Sequence, residues 1–470
     1  MYNPNTKEWA QTLFGQAKLG DLRRTKRLVQ LTSDMAKDAS SSIAKACNSS
    51  DKIEGAYRFI RNEKITPDDI ATAGFKHTSD IIHQTPLVLA IQDTTGLTYK
   101  HNVTKELGDV CCSKNKKSKT RTLYAHSTLV LDAQTEKTIG LVNQHYYYRH
   151  KKVAGTRDAQ QKRAFEEKET YRWKSCFEQI KSTVGDVSRL IDICDREADI
   201  YEYLDYHLEN QHRFLVRAKE NRILLAPNSK LKALIQTSPH KCGYTVDVKQ
   251  RGGRKARKAH MLLSYDAITL KKPKHAEGQD SLALNVIICQ ETNPGSGVEE
   301  PLCWILYTNE EISCPEDALK IVRYYELRWR IEEFHKFWKS DGTDVENLRL
   351  QHKNNIQRIA VIQAFIAVRL MQLQEIAQNK EQAKHISCES CTGTLTWKLL
   401  WMKIEKGKAI PEEAPSMHWF YYALAKLGGW YDSKRNGRVG IKALWSGWFK
   451  LIGMIEAAEL FKSLQQATDL

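Results

Sequence analysis

Two short apolar runs in this chain lead into aspartate. LVLAIQ precedes Asp93 and LIDIC precedes Asp195, and both runs are strand-sized and rich in Leu and Ile. A carboxylate ending a buried strand must be hydrogen-bonded, paired or metal-bound, because an isolated buried charge is strongly disfavoured. Taken singly, either reads as a structural aspartate in a turn. If neighbouring strands bring the two together, they repel, and a third group is needed to join them.

The third group stands on a helix-patterned stretch, YYELRWRIEEFHKFWK, from Tyr324 to Lys339. Leu327, Ile331, Phe334 and Trp338 suit its buried side, yet Tyr325, Arg328, Glu332, His335 or Lys336, and Lys339 recur at the spacing usually kept for an apolar stripe. Arg328 lies one turn before Glu332 and Lys339 about two turns after it, so a carboxylate sits between cations on one face. With Asp93 and Asp195 nearby, Glu332 completes a set of three carboxylates that a hard, oxygen-loving divalent ion would reconcile. The alternative is an exposed helix laced with ion pairs. The helix is expected to begin at Ser313, with Glu316 at capping-box spacing and Pro315 in the first turn, and to stop at Gly342.

Around these elements the pattern changes along the chain. The first seventy or so residues read as short helices, with Arg23, Arg24, Lys26 and Arg27 projecting from LGDLRRTKRLVQLTSDMAKDA. From Pro86 strands follow: PLVLAIQDTT, AHSTLVLDAQT, TIGLVNQHYYYR and, after a charged helix-compatible segment, VSRLIDICDREAD. Antiparallel strands, then a helix and a further strand, point to a mixed α/β sheet. Residues from about 213 to 310 read as more β-structure, a β-rich insertion between two parts of the core. Helices return at residue 313 and fill most of the remainder. The last, GIKALWSGWFKLIGMIEAAELFKSLQQ, carries Trp445 and Trp448 on an amphipathic face suited to a second subunit or to the chain's own core.

Lys and Arg number 72 against 56 Asp and Glu in 470 residues, a formal charge of +16, which suits a polyanionic partner. The lysine-rich loops KNKKSKTR and RGGRKARK are candidates for DNA backbone contact. Eleven scattered cysteines and an N-terminal MYNPNTKEWAQ without a basic-then-apolar leader suit a reducing cytosol. HISCESC alone has metal-like spacing, and without a second ligand pair it reads as incidental. No apolar run looks long enough for the roughly 20 residues of a membrane span, so no membrane partner is expected.

IQDTTGLTY, CDREADIYEYL and YELRWRIEEFHKFWK resemble the three acidic motifs of the bacterial DDE transposases of the insertion-sequence-four group. That group's signature, Tyr-x2-Arg-x3-Glu-x6-Lys, is matched by Tyr325, Arg328, Glu332 and Lys339. The likeness runs from LGDLRRTKRLV to ALWSGW, nearly the whole chain, and departs most at SDGTDVENLRLQHKNN.

The resemblance implies an α/β, ribonuclease-H-like mixed-sheet catalytic core over residues 71–372, interrupted by the β-rich insertion. It implies a helical DNA-binding domain over 1–70 and a helical dimerisation domain over 373–470. Asp93, Asp195 and Glu332 would be the catalytic, metal-binding triad, holding two Mg2+ ions per active site with Mn2+ able to substitute. Tyr325, Arg328, Lys336, Lys339, Arg217 and Lys219 would contact transposon-end DNA, joined by Arg23, Arg24 and Arg27 of the N-terminal module. Trp304 would stack on a flipped base with help from Trp329, and Trp445 and Trp448 would lie at the dimer interface.

The implied activity is cut-and-paste transposition in a bacterial, nucleoid-associated setting. Water nicks the transposon end, the freed 3′-hydroxyl forms a hairpin, a second water opens it, and the 3′ ends join target DNA. The partners would be double-stranded DNA and a second copy of the chain. Two other readings stay open: a DNA-binding regulator that keeps the fold, and a metal-dependent nuclease that never joins strands.

Overall fold

The computed structural model describes residues 5–37, 42–108, 119–149, 162–248, 256–295, 298, 301–339, 343–378, 380–433 and 439–468. Gly342, most of KNKKSKTR and RGGRKARK, and part of SDGTDVENLRLQHKNN lie outside these residues.

Five helices open the chain: α1 (Thr6–Phe14), α2 (Leu22–Lys37), α3 (Ile43–Cys47), α4 (Ser50–Ile60) and α5 (Pro67–Ile82). The start of α5 is written locally, since Thr66 and Asp69 form a capping box and Pro67 takes the first turn. Three antiparallel strands follow, β1 (Val88–Tyr99), β2 (Arg121–Asp132) and β3 (Thr138–Tyr147). After α6 (Arg172–Val184), β4 (Leu190–Cys194) pairs in parallel with β1; after α7 (Tyr201–Glu209), β5 (Arg213–Arg217) pairs in parallel with β4. The order β3-β2-β1-β4-β5, with helices on both faces, is the ribonuclease-H-like arrangement that the resemblance implies.

The β-rich segment does not form a sheet of its own. It contains β6 (Ile223–Ala226), β7 (Ser229–Lys230), α8 (Leu231–Thr237), β8 (Cys242–Val248), β9 (Arg257–Lys271), β10 (Ser281–Thr292) and β11 (Cys303–Thr308). β11 pairs antiparallel with β5, so these strands extend the core sheet to eleven. β5, at the start of the range expected for the insertion, is itself a strand of the ribonuclease-H-like order.

The helix expected over 313–342 is two helices, α9 (Pro315–Glu326) and α10 (Trp329–Lys339). At the join, Arg328 N–H bonds Tyr325 O and Arg330 N–H bonds Leu327 O, i→i−3 bonds that tighten the turn. In such a turn side chains three apart eclipse, which stacks Arg328 over Tyr325, 5.9 Å from its ring centre. The N-cap is Cys314 with Asp317 in the capping box, one residue on from the expected Ser313 and Glu316.

α11 (Lys353–Gln378) runs beneath α10 and against α5, where Gly74 admits the Phe365 ring; a Cβ there would lie 2.3 Å from Cζ. α11 corrects the expectation that no stretch is long and apolar enough to cross a membrane, since by length and composition it is. It is nonetheless mostly buried within the fold and carries the buried Arg358 and Arg369. Arg358 donates to Ile60 O at 2.8 Å and Ile65 O at 2.5 Å, satisfying the last carbonyl of α4 and tying the N-terminal module to the core. Arg358→Met would leave two buried carbonyls without their donor. We expect it to lower stability by about 2–5 kcal/mol, read from the urea midpoint at unchanged slope; a loss below about 0.5 kcal/mol would refute this role.

The C-terminal region packs α12 (Lys380–His385), α13 (Glu389–Thr392), α14 (Thr394–Ile404), α15 (Met417–Leu427) and α16 (Ile441–Thr468) around a separate apolar cluster that includes Cys388 and Cys391.

Candidate active site

Side-chain alternation on β1 sorts its residues between the two faces of the sheet. Leu89 and Ile91 pack on the face covered by α10 and α11, while Val88 and Ala90 pack against α6. Asp93 continues the first set and Gln92 the second. The same parity on β4 gives Ile191, Ile193 and then Asp195 to the α10 face. Two adjacent parallel strands thereby carry Asp93 and Asp195 toward one side.

Asp93 does not end its strand, as expected from sequence, because β1 continues to Tyr99, paired with β2 throughout. What ends there is the pairing with β4, which covers only Val88–Ile91 against Leu190–Ile193. Asp195 does follow the last residue of β4. Its Oδ1 accepts a 2.8 Å hydrogen bond from Glu197 N–H, capping a one-turn 3-10 helix.

α10 lies across this face. Arg328 Nη2 donates to Glu332 Oε1 at 2.9 Å, and His335 Nδ1 lies 3.8 Å from Asp93 Oδ2. Burial, and then the charges of Asp195 and Glu332, push the Asp93 carboxyl up to about 7 against the opposing pull of Arg328. The two other carboxylates are therefore close enough to be felt at Asp93. Burial, Lys339 and Arg328 push His335 down to about 3, so its approach to Asp93 is that of a neutral imidazole near pH 7.

Three carboxylates with an all-oxygen donor set, one of them raised mainly by burial and further by the charge of the others, fit a hard divalent cation. As the side chains stand, Glu332 is turned onto Arg328, and among the described residues no three potential ligands meet at one point. Arg328 is thus the counter-ion of Glu332.

Next to the triad runs a strip of aromatic and cationic groups. Trp304 on β11 meets Tyr325 with ring centres 5.9 Å apart, and Arg217, ending β5, lies beside the buried Tyr325 hydroxyl. Arg217 also donates to Cys303 O at 3.1 Å. Arg328 lies 5.5 Å from the centre of the Trp329 ring, which is 46% exposed. Lys336 and Lys219 are exposed. Lys339, by contrast, is tied to the protein: its Nζ donates to Gly96 O at 2.6 Å and lies 3.6 Å from Glu346.

The other expected contacts lie elsewhere. On α2, Arg23 is exposed and pairs with Asp21 at 3.0 Å, Arg24 donates to Leu19 O at 2.8 Å, and Arg27 lies over Gly55. Trp445 is 4% exposed, with its ring against Phe337 and Phe449, so it belongs to the chain's own core; Trp448 is partly buried beside it. The distal half of α16 carries the exposed Leu460 and Phe461 at 73% and 60%.

Reading the sequence did not single out Gln92, Asp192 or His126, or assign a role to His335. Polar residues inside the apolar runs LVLAIQ and LIDIC were the available signal for the first two.

Residues 6–65 match the family model described as Transposase DNA-binding, and residues 125–369 match the one described as Transposase DDE domain. The second match takes in Asp195, Glu332 and the whole β-rich segment. Asp93 lies between the two.

Proposed function

The chain belongs to the DDE transposases, and from that premise we propose that Asp93, Asp195 and Glu332 are its acidic triad and that it moves DNA by cut-and-paste. As a DDE transposase it is an enzyme acting on DNA with divalent ions, generally Mg2+. The observation that supports the finer reading is that β1, the end of β4 and α10 carry Asp93, Asp195 and Glu332 to one face of the sheet, where the charges of Asp195 and Glu332 add to burial in raising the Asp93 carboxyl.

Likeness to the insertion-sequence-four group, and within it to the transposase of the bacterial transposon numbered five, supports nicking, hairpin formation, hairpin opening and joining of the 3′ ends. Two ions per site, with Mn2+ able to replace Mg2+, would activate the attacking oxygen and stabilise the leaving one in an in-line displacement. The residues around them position DNA. Releasing Glu332 would free the Arg328 guanidinium for a phosphate, beside the exposed Lys336 and Lys219, and such contacts make affinity fall with salt. Trp304, with Trp329 exposed across Arg328, offers a stacking surface for a base unstacked when the strand bends. A second copy of the chain is the expected partner on DNA, with Leu460 and Phe461, in place of the buried Trp445, as its contact.

A labelled duplex bearing the inverted repeat beside the chain's own gene, incubated with Mg2+ and resolved on a denaturing gel, tests the reading. Nicks followed by hairpins and, from pre-cut ends, joined products are expected. A gel shift without cleavage would favour the regulator, and hydrolysis without joining the nuclease. Trp304→Ala should keep nicking but lower hairpin yield about tenfold or more, given about 1–3 kcal/mol per stacked base.

A further inference from the structure

On the face of the sheet opposite Asp93 lies a buried polar network whose members flank Asp93 on both sides and precede Asp195 in sequence. Gln92 Nε2 donates to Asp192 Oδ1 at 2.6 Å and to the Tyr203 hydroxyl at 3.1 Å. The Tyr203 hydroxyl and, at 3.4 Å, the Cys194 thiol donate to Asp192 Oδ2, and the His207 ring lies 3.2 Å from the same oxygen. On the other side Gln92 Oε1 is 2.9 Å from His126 Nε2, and His126 Nδ1 is 2.7 Å from Thr94 Oγ1. Because Oε1 only accepts, His126 carries its proton on Nε2 and Thr94 donates to Nδ1. Gln92, Asp192, Cys194, Tyr203, His126 and His207 are all fully buried.

The location matters more than the burial. The parallel ladder between β1 and β4 ends at Ile91 and Ile193. Beyond it the strand that pairs with β1 is β2, and the one that pairs with β4 is β5, through Cys194 and Val216. No backbone hydrogen bond joins the two strands at the level of Asp93 and Asp195. The Gln92–Asp192 bond joins the first β1 residue past the ladder, one before Asp93, to Asp192, which faces Ala90 inside the ladder; Thr94, the residue after Asp93, is tied to His126, and Cys194, the residue before Asp195, to Asp192.

We propose that Gln92 and Asp192 are positioning residues, whose buried hydrogen bond ties the first β1 residue past the ladder back to β4 and sets the separation of Asp93 and Asp195 for divalent-ion binding. The proposal rests on the triad assigned above. The Asp192 carboxylate has hydrogen bonds to both oxygens, which hold it in place, and a rigid support is what holds a ligand pair at a fixed spacing.

The test is Mn2+ titrated into the full-length protein without DNA, followed by the loss of the free-ion electron paramagnetic signal, alongside end-DNA affinity. Wild type should bind Mn2+ and Asp195→Asn should not; equal binding by the two would overturn the triad, and this proposal with it. Gln92→Met, which removes the clamp, should weaken Mn2+ binding at least about tenfold while leaving DNA affinity within about threefold. The exchanged pair Gln92→Glu with Asp192→Asn rebuilds the bond with donor and acceptor reversed, and should restore Mn2+ affinity to within about threefold of wild type. Unchanged Mn2+ binding in Gln92→Met, or failure of the exchanged pair to restore it, would overturn the positioning role while leaving the triad standing. Should Gln92→Met not fold, Gln92→Glu alone, which sets a second carboxylate against Asp192, takes its place in the same comparison.

Discussion

Asp93→Asn, Asp195→Asn and Glu332→Gln should each lower end cleavage by at least about 10³-fold while leaving DNA affinity within about threefold. Each exchange keeps the shape of the side chain and removes only its charge, so packing of β1, β4 and α10 is preserved. Cleavage requires the charge if the three oxygen donors hold an ion; DNA binding does not, and fewer negative groups near a phosphate would if anything strengthen it. Asp93 is the most informative of the three, because it lies outside the residues matched by the DDE-domain model. Cleavage retained in any one variant would remove that residue from the triad.

The second large effect concerns pH. In the unfolded chain Asp93 ionises in the ordinary range near 4, but in the folded protein only near 7, mainly through burial. The folded state therefore holds this proton more tightly, and its stability falls as pH rises from about 4 to 7, with the whole penalty present above 7. Some 21% of the side chain is exposed, so solvent reduces the penalty to about 2–3 kcal/mol. Asp93→Asn removes it: without metal, the variant should be more stable than wild type by this amount at pH 8 and no more stable at pH 4. For the same reason, apparent ion affinity of the wild-type protein should fall about tenfold per pH unit below 7, because the ion must displace one proton. Urea titrations at the two pH values decide the matter; a stability difference that does not change with pH would show that Asp93 carries no raised proton affinity.

Much of this site was legible in one dimension. The buried side of the signature helix came from spacing alone, and Leu327, Ile331, Phe334 and Trp338 are all buried. Asp195 follows its strand as LIDIC suggested. Three features were hidden because they depend on partners distant in sequence. Asp93 lies within β1 because β2 continues to pair after β4 has left, which the β1 segment alone does not encode. The break at Leu327–Arg328 carries no Gly or Pro to announce it. Lys339, read as a phosphate contact, also meets Gly96 and Glu346, groups that only the folded chain brings near. Trp445 shows the same limit from the other side, since an amphipathic helix face looks alike in sequence whether its own core or a second copy covers it.

If these carboxylates share divalent ions on DNA, the anomalous scattering of Mn2+ in crystals of the full-length protein bound to its end duplex should place Mn2+ between the Asp93 and Asp195 carboxylates, with Glu332 released from Arg328. Mn2+ bound elsewhere, with both aspartates free of metal and Glu332 still paired with Arg328, would contradict such sharing.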